Sequence, residues 1–202
     1  MSEKALKWIT ILWFAIGGTA LVVAVLIGPD FFPLGDSKQH QVYLDQPFKL
    51  VDQNGRAVTE RDFQSKPTAW FFGFTNCPDV CPTTLSDFSQ ALDRLGPDAD
   101  KLNVVFVTVD PERDTPEVLR EYVASFDPRI VGLTGTPEEI AATAKEHFVH
   151  QAKVPLKDGS YTMEHTSKVL LTAADGRFVG TIDHHDPVES QVEKLRALTH
   201  EG

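Results

Sequence analysis

The chain has only two cysteines, Cys77 and Cys81, both in the string Gly73-Phe74-Thr75-Asn76-Cys77-Pro78-Asp79-Val80-Cys81-Pro82. Ahead of them, Thr68 to Thr75 (TAWFFGFT) is an apolar run of strand length. Behind them, Pro82 to Leu95 sets Leu85, Phe88, Leu92 and Leu95 on one helical stripe, with Pro82 suited to a first turn. The string therefore leaves a buried strand and enters an amphipathic helix. Cys81 falls at the helix N-terminus, where free backbone N–H groups and the helix dipole favour a thiolate. Cys77 falls one turn earlier, so both sulfurs can converge.

Such a pair admits three chemistries. A plain disulfide would close so small a loop that it would constrain the unfolded chain little. Thiol–disulfide exchange usually places two residues between the cysteines, whereas three stand here: Pro78, Asp79 and Val80. A soft metal would find two thiolates, too few for a closed zinc site but enough, with one imidazole, for a three-ligand copper site. The chain offers seven histidines. His147 and His150 fall on or just past a helix read over Pro137 to Phe148 and are expected to be surface or helix-end residues. His184 and His185 lie in the loop Asp183-His184-His185-Asp186, with no partner nearby in sequence. His40 lies in a linker and His200 near the C-terminus. His165, in Met163-Glu164-His165-Thr166-Ser167, stands immediately before the apolar run Lys168 to Thr172.

The elements that must position these residues are legible as alternating patterns. Phe48 to Val58 turns at Asn54-Gly55, and Lys168 to Thr172 and Arg177 to Ile182 flank Asp175-Gly176, two hairpin signals. Asn103 to Val109 and the shorter Ile130 to Leu133 read as buried strands. Helical stripes run over Pro116 to Phe126, Pro137 to Phe148 and Pro187 to Leu198. Strand–helix alternation closed by a hairpin and a last helix describes an α/β sandwich with a mixed sheet.

Residues 8–27, WITILWFAIGGTALVVAVLI, carry no charge and are long enough for a membrane helix, which needs about 20 apolar residues. Lys4 and Lys7 precede the run; Asp30 and Asp36 follow it. The positive-inside bias puts residues 1–7 in the cytoplasm and everything after the anchor outside. No small-x-small cleavage site closes the run, so an uncleaved anchor is expected, followed by a linker over 28–41 and one domain over 42–202. A bacterial inner membrane with the domain in the periplasm is the simplest placement. The net charge of −10, from 29 acidic and 19 basic residues, argues against nucleic acid as a partner.

With these motifs in hand, the chain resembles the Sco/SenC family of copper chaperones for cytochrome c oxidase assembly. The resemblance rests on Cys77-Pro78-Asp79-Val80-Cys81-Pro82, on Val109-Asp110-Pro111-Glu112-Arg113-Asp114-Thr115-Pro116, and on His165 ahead of the Asp175-Gly176 hairpin, in that order. It implies a thioredoxin-like fold and one copper, Cu(I) or Cu(II), held by Cys77, Cys81 and His165. It further implies delivery to the binuclear copper site of an oxidase subunit, with other periplasmic copper carriers or thiol reductases as further partners. Thr166 and Ser167 stand where thioredoxin-type oxidoreductases carry a proline, which favours metal over dithiol exchange. Asp79 and Asp110 are candidates for supporting or tuning the ligands. Arg113 and Asp114 read either as a structural pair in the loop or as a solvated turn capping the Pro116 helix. The alternative function is a thiol–disulfide reductase that keeps the oxidase's copper-site cysteines reduced; His165 discriminates, because metal transfer needs it and dithiol exchange does not.

Overall fold

The structure is a computed structural model that describes residues 41–201. The anchor expected at 8–27 and nearly all of the linker lie outside the described residues. Among the described residues no helix is long and apolar enough to cross a membrane.

The two longest apolar runs become the centre of the sheet. β3 (Thr68–Gly73) is buried at all six positions, and β4 (Asn103–Thr108) at every position but the first. Strands covered on both faces read as continuous apolar runs, and these two pair in parallel, with Thr68 opposite Asn103 and Gly73 opposite Thr108. Phe71, Phe72 and Phe106 are essentially inaccessible; each such side chain contributes about 1.5–3 kcal/mol of transfer free energy. β5 (Ile130–Thr134) adds in parallel to β4, while β1 (Leu50–Asp52), β2 (Ala57–Val58), β8 (Val169–Thr172) and β9 (Phe178–Ile182) add antiparallel. The order is β2-β1-β5-β4-β3-β8-β9. Both hairpin signals hold: Gly55 and Gly176 take φ of 80° and 82°, a backbone region that favours glycine.

Four helices flank this mixed sheet: α1 (Val80–Leu95), α2 (Pro116–Val123), α3 (Pro137–Glu146) and α4 (Val188–Leu198). Helix α2 starts at a Thr115 cap, and α3 at a capping box of Thr136 and Glu139, each with proline in the first turn. α2 stops at Val123 rather than reaching Phe126, and α3 stops at Glu146.

Two features go beyond the sequence patterns. His147 is a helix end, as the sequence allowed, but it is not at the surface: it is buried at 2 % exposure. It closes α3 with Nδ1 2.8 Å from the Thr143 carbonyl and packs against the rings of Trp70 and Phe72, at 5.1 and 5.2 Å. The chain turns sharply at Phe148 (φ 55°), so Phe148 takes the outside position at 76 % exposure and the histidine turns in. Burial lowers the His147 pKa, which keeps the ring neutral. The second surprise is a separate two-stranded ribbon, β6 (Gln151–Pro155) with β7 (Tyr161–His165), which no strong alternation announced.

Candidate metal centre

The cysteine loop is built from the core outward. β3 ends at Gly73, and a Cβ there would lie 2.7 Å from Phe106 Cε2 and 2.8 Å from Cys81 Sγ. Only a residue without a side chain lets the sulfur sit this close to the strand. The Cys77 N–H then donates to the Phe74 carbonyl at 3.2 Å, turning the chain into α1. Asp79 occupies the helix cap, yet its side chain makes no capping bond. Instead the N–H of Cys81 donates to Cys77 Sγ at 3.4 Å. A sulfur thus takes one of the free donors of the helix N-terminus.

This placement splits the pair. Both cysteines are free, Cys77 half-buried and Cys81 fully buried. The Cys77 thiol is pulled down to about 4 by a hydrogen bond from Cys81 first; burial opposes, and the His165 side chain and the N–H groups of Cys81 and Asp79 assist. Cys81 is pushed up by the same pairing and by burial. At neutral pH the reduced pair therefore holds one proton, with the charge on Cys77.

The histidine arrives on a different element. His165 ends β7, opposite Gln151. Its Nδ1 lies 3.0 Å from the Thr166 carbonyl, which can only accept, so Nδ1 carries a proton and Nε2 is the ring nitrogen left for other partners. Its ring stands edge-to-face on Phe74, at 5.7 Å and 89°, beside the cysteine loop. The structure therefore puts Cys77 within hydrogen-bonding reach of both Cys81 and His165. Two sulfurs and one imidazole nitrogen are a donor set that suits copper.

Asp79 and Asp110 support this group in different ways. Asp79 is exposed and contributes its backbone N–H to Cys77, not its carboxylate. Asp110 is buried and points away from metal duty: its carboxylate accepts from Arg113 Nε and, at 2.9 Å, from the Tyr161 hydroxyl. Arg113 also donates to the Tyr161 carbonyl at 3.0 Å and lies over the Tyr161 ring at 4.0 Å. Arg113 thus pairs with Asp110 rather than with Asp114, the structural pair that the sequence offered as one reading. Asp110 and Arg113 clasp Tyr161, the first residue of the strand whose last residue is His165.

Asp114 does something the sequence did not disclose. Fully buried, it accepts from the Thr75 N–H (3.0 Å), the Thr75 hydroxyl (2.6 Å) and the Thr108 hydroxyl (2.5 Å). It staples the cysteine loop to the end of β4, and burial pushes its carboxyl up. The only signal in the sequence was a polar residue in a loop flanked by threonines at the ends of both central strands. Of the remaining histidines, His150, His185 and His200 are exposed, and none of the seven other than His165 is seen beside the cysteines among the described residues.

A family model described as SCO1/SenC matches residues 36–200. The chain belongs to the SCO1/SenC family. It is 38% identical over 145 residues to the mitochondrial SCO1 homolog 1 of Arabidopsis thaliana, covering 71% of this chain and 43% of that one. A SCO2-like protein of Rickettsia prowazekii is 34% identical over 186 residues, 89% of this chain and 90% of the relative. The chain therefore spans less than half of the plant relative but most of the bacterial one. Among solved structures, Bradyrhizobium japonicum ScoI with copper bound superposes with TM-score 0.71 at 48% identity, over 76% of this chain and 98% of that one. Yeast Sco1 with copper bound gives 0.70 at 35%, over 76% and 86%. BsSco, a cytochrome c oxidase assembly protein with a disulfide switch, shares the fold at 23% identity and TM-score 0.63, over 78% and 94%. The thioredoxin-like sandwich is thus common to the family.

Proposed function

We propose that this chain is a copper chaperone. It binds one copper ion through Cys77, Cys81 and His165 and hands it to the binuclear copper site of a respiratory cytochrome c oxidase. The observation that carries the reading is that Cys77 lies within hydrogen-bonding reach of both Cys81 and His165, in a chain 48% identical to a relative with copper bound. Binding removes the proton the pair still holds, so affinity falls in acid. Three ligands leave one side of the ion open, where a partner's thiolates and imidazoles can enter and take it. The apolar run at 8–27 would anchor the chain in a bacterial inner membrane, with the linker at 28–41 and the domain at 42–202 in the periplasm, within reach of a membrane-bound oxidase.

A second reading, a thiol–disulfide reductase that keeps the oxidase's cysteines reduced, is favoured by one observation: Cys77 titrates near 4, and a low-pKa thiolate is a good attacking or leaving group. Anaerobic Cu(I) titration of the reduced protein against a competing chelator separates the two. One copper per chain is expected, weakened by roughly ten- to a hundredfold in His165→Ala. Binding indifferent to His165 would overturn the three-ligand site and favour the reductase.

A further inference from the structure

The loop after β9 holds a second group of metal-binding side chains. One ligand atom from each of Asp183, His184 and His185 lies within 4.8 Å of the others. Metal–ligand bonds of about 2.0–2.2 Å place such atoms roughly 3–4 Å apart, so closing around an ion needs only small side-chain shifts. Neighbouring side chains on a strand point to opposite faces, yet here the two imidazole rings face each other, their centroids 3.8 Å apart. A tight turn makes this possible. The Asp186 N–H donates to the Asp183 carbonyl (2.9 Å), and Asp186 Oδ2 accepts from the Asp183 N–H (3.0 Å) and Lys194 (2.6 Å). Asp183 Oδ1 accepts from the His185 N–H (3.1 Å), and its Oδ2 faces Lys168 Nζ at 3.9 Å. His184 Nδ1 is shielded from water without a hydrogen-bond partner, although Asp183 Oδ1 lies 3.3 Å away. A buried ring nitrogen left without a partner calls for an explanation, and a coordinated metal ion supplies one.

We propose that Asp183, His184 and His185 form a second, solvent-open site for a divalent transition-metal ion, and that Cu(II) binds it most tightly of the first-row series. Two imidazoles and a carboxylate are harder than the thiolate pair and prefer the oxidised ion, and Cu(II) heads the order of divalent affinities. The loop begins where Ile182 pairs with Val169, on the side of β8 away from β3 and its cysteine loop. The two sites therefore have separate ligands and separate elements.

The test uses the full chain in detergent with Cys77→Ser and Cys81→Ser, so that no thiol binds or reduces the probe. CuCl2 is titrated against glycine at neutral pH and followed by electron paramagnetic resonance. One Cu(II) per chain with nitrogen splitting from two imidazoles is expected. His184→Gln and His185→Gln should each weaken it at least about tenfold, since loss of an outer partner alone commonly costs that much. The isosteric Asp183→Asn, which keeps the turn, should weaken it less, and the pair His150→Gln with His200→Gln should not weaken it. No Cu(II) retained against glycine, or binding unchanged by His184→Gln with His185→Gln, would overturn the site. Neither result bears on Cu(I) uptake by the chain with its cysteines intact, so the two readings fail separately.

Discussion

The two arms of the candidate metal centre are built to different standards. Cys77 and Cys81 leave a strand buried at every position and enter a helix whose Cys81 sulfur lies under Gly73. His165 ends a ribbon strand with no fully buried residue, joined to the body through Tyr161 and through Met163, which packs against the core. Burial fixes side chains, because close-packed surroundings leave no alternative rotamer; a half-exposed ribbon has neighbours on one side only. The thiolate arm is therefore the rigid half and the imidazole arm the adjustable one. A carrier benefits from this asymmetry: the sulfurs define the site, and the single bond to the ring is the one most easily made or released.

The largest expected effect is on the thiolate itself. Cys81 is the first cause of the low Cys77 pKa, so Cys81→Ala should move the Cys77 titration, followed by thiolate absorbance, from about 4 back toward the ordinary 9.0. The folded value lies below the unfolded one. The Cys77 thiolate therefore stabilises the reduced chain fully above about pH 9, progressively less as the pH falls toward 4, and not at all below that. Cys81, shifted upward, opposes this above pH 9. Denaturant titrations should show the acid part of this slope shrinking in Cys77→Ser; an unchanged slope would mean that the rigid arm carries no charge.

Next in size, Asp114→Ala strands three buried or half-buried donors at the junction of the two central strands, and should lower stability by about 3 kcal/mol. Thermal melting would then drop by roughly 6–12 °C. Gly73→Ala pushes a methyl group against Phe106 and Cys81 Sγ and should cost about 1–3 kcal/mol. It should also weaken Cu(I) binding, since the sulfur is the atom displaced. Equal damage to stability with intact binding would argue that the rigid arm is not what sets the sulfur. The smallest effect belongs to the other arm. Tyr161→Phe removes one hydrogen bond to Asp110 and should destabilise by about 1 kcal/mol, while loosening the strand that carries His165. A modest loss of Cu(I) affinity, absent when the substitution is repeated in His165→Ala, is the outcome that would tie the clasp to the ring.

Much of the fold was legible because its signals are local. Thr68 to Thr75 and Asn103 to Val109 could only be buried strands, and Asn54-Gly55 and Asp175-Gly176 could only be turns. The β6–β7 ribbon was not legible: its burial is partial on both strands, so it carries no clean alternation. The inward turn of His147 was hidden for a related reason, since it depends on Phe148 adopting a left-handed backbone that no residue type announces.

By itself the sequence determined the ligand types and the element on which each cysteine sits, because strand, helix cap and thiol spacing are properties of neighbouring residues. The tertiary structure decided what those residues become. It put His165 beside Cys77 across 88 residues of chain, assigned Arg113 to Asp110 and Tyr161, gave Asp114 its place under the cysteine loop, and divided one proton unequally between two identical thiols. Each of these depends on which distant groups are brought within hydrogen-bonding reach and how far water is excluded there, and both follow from packing rather than from the order of residues.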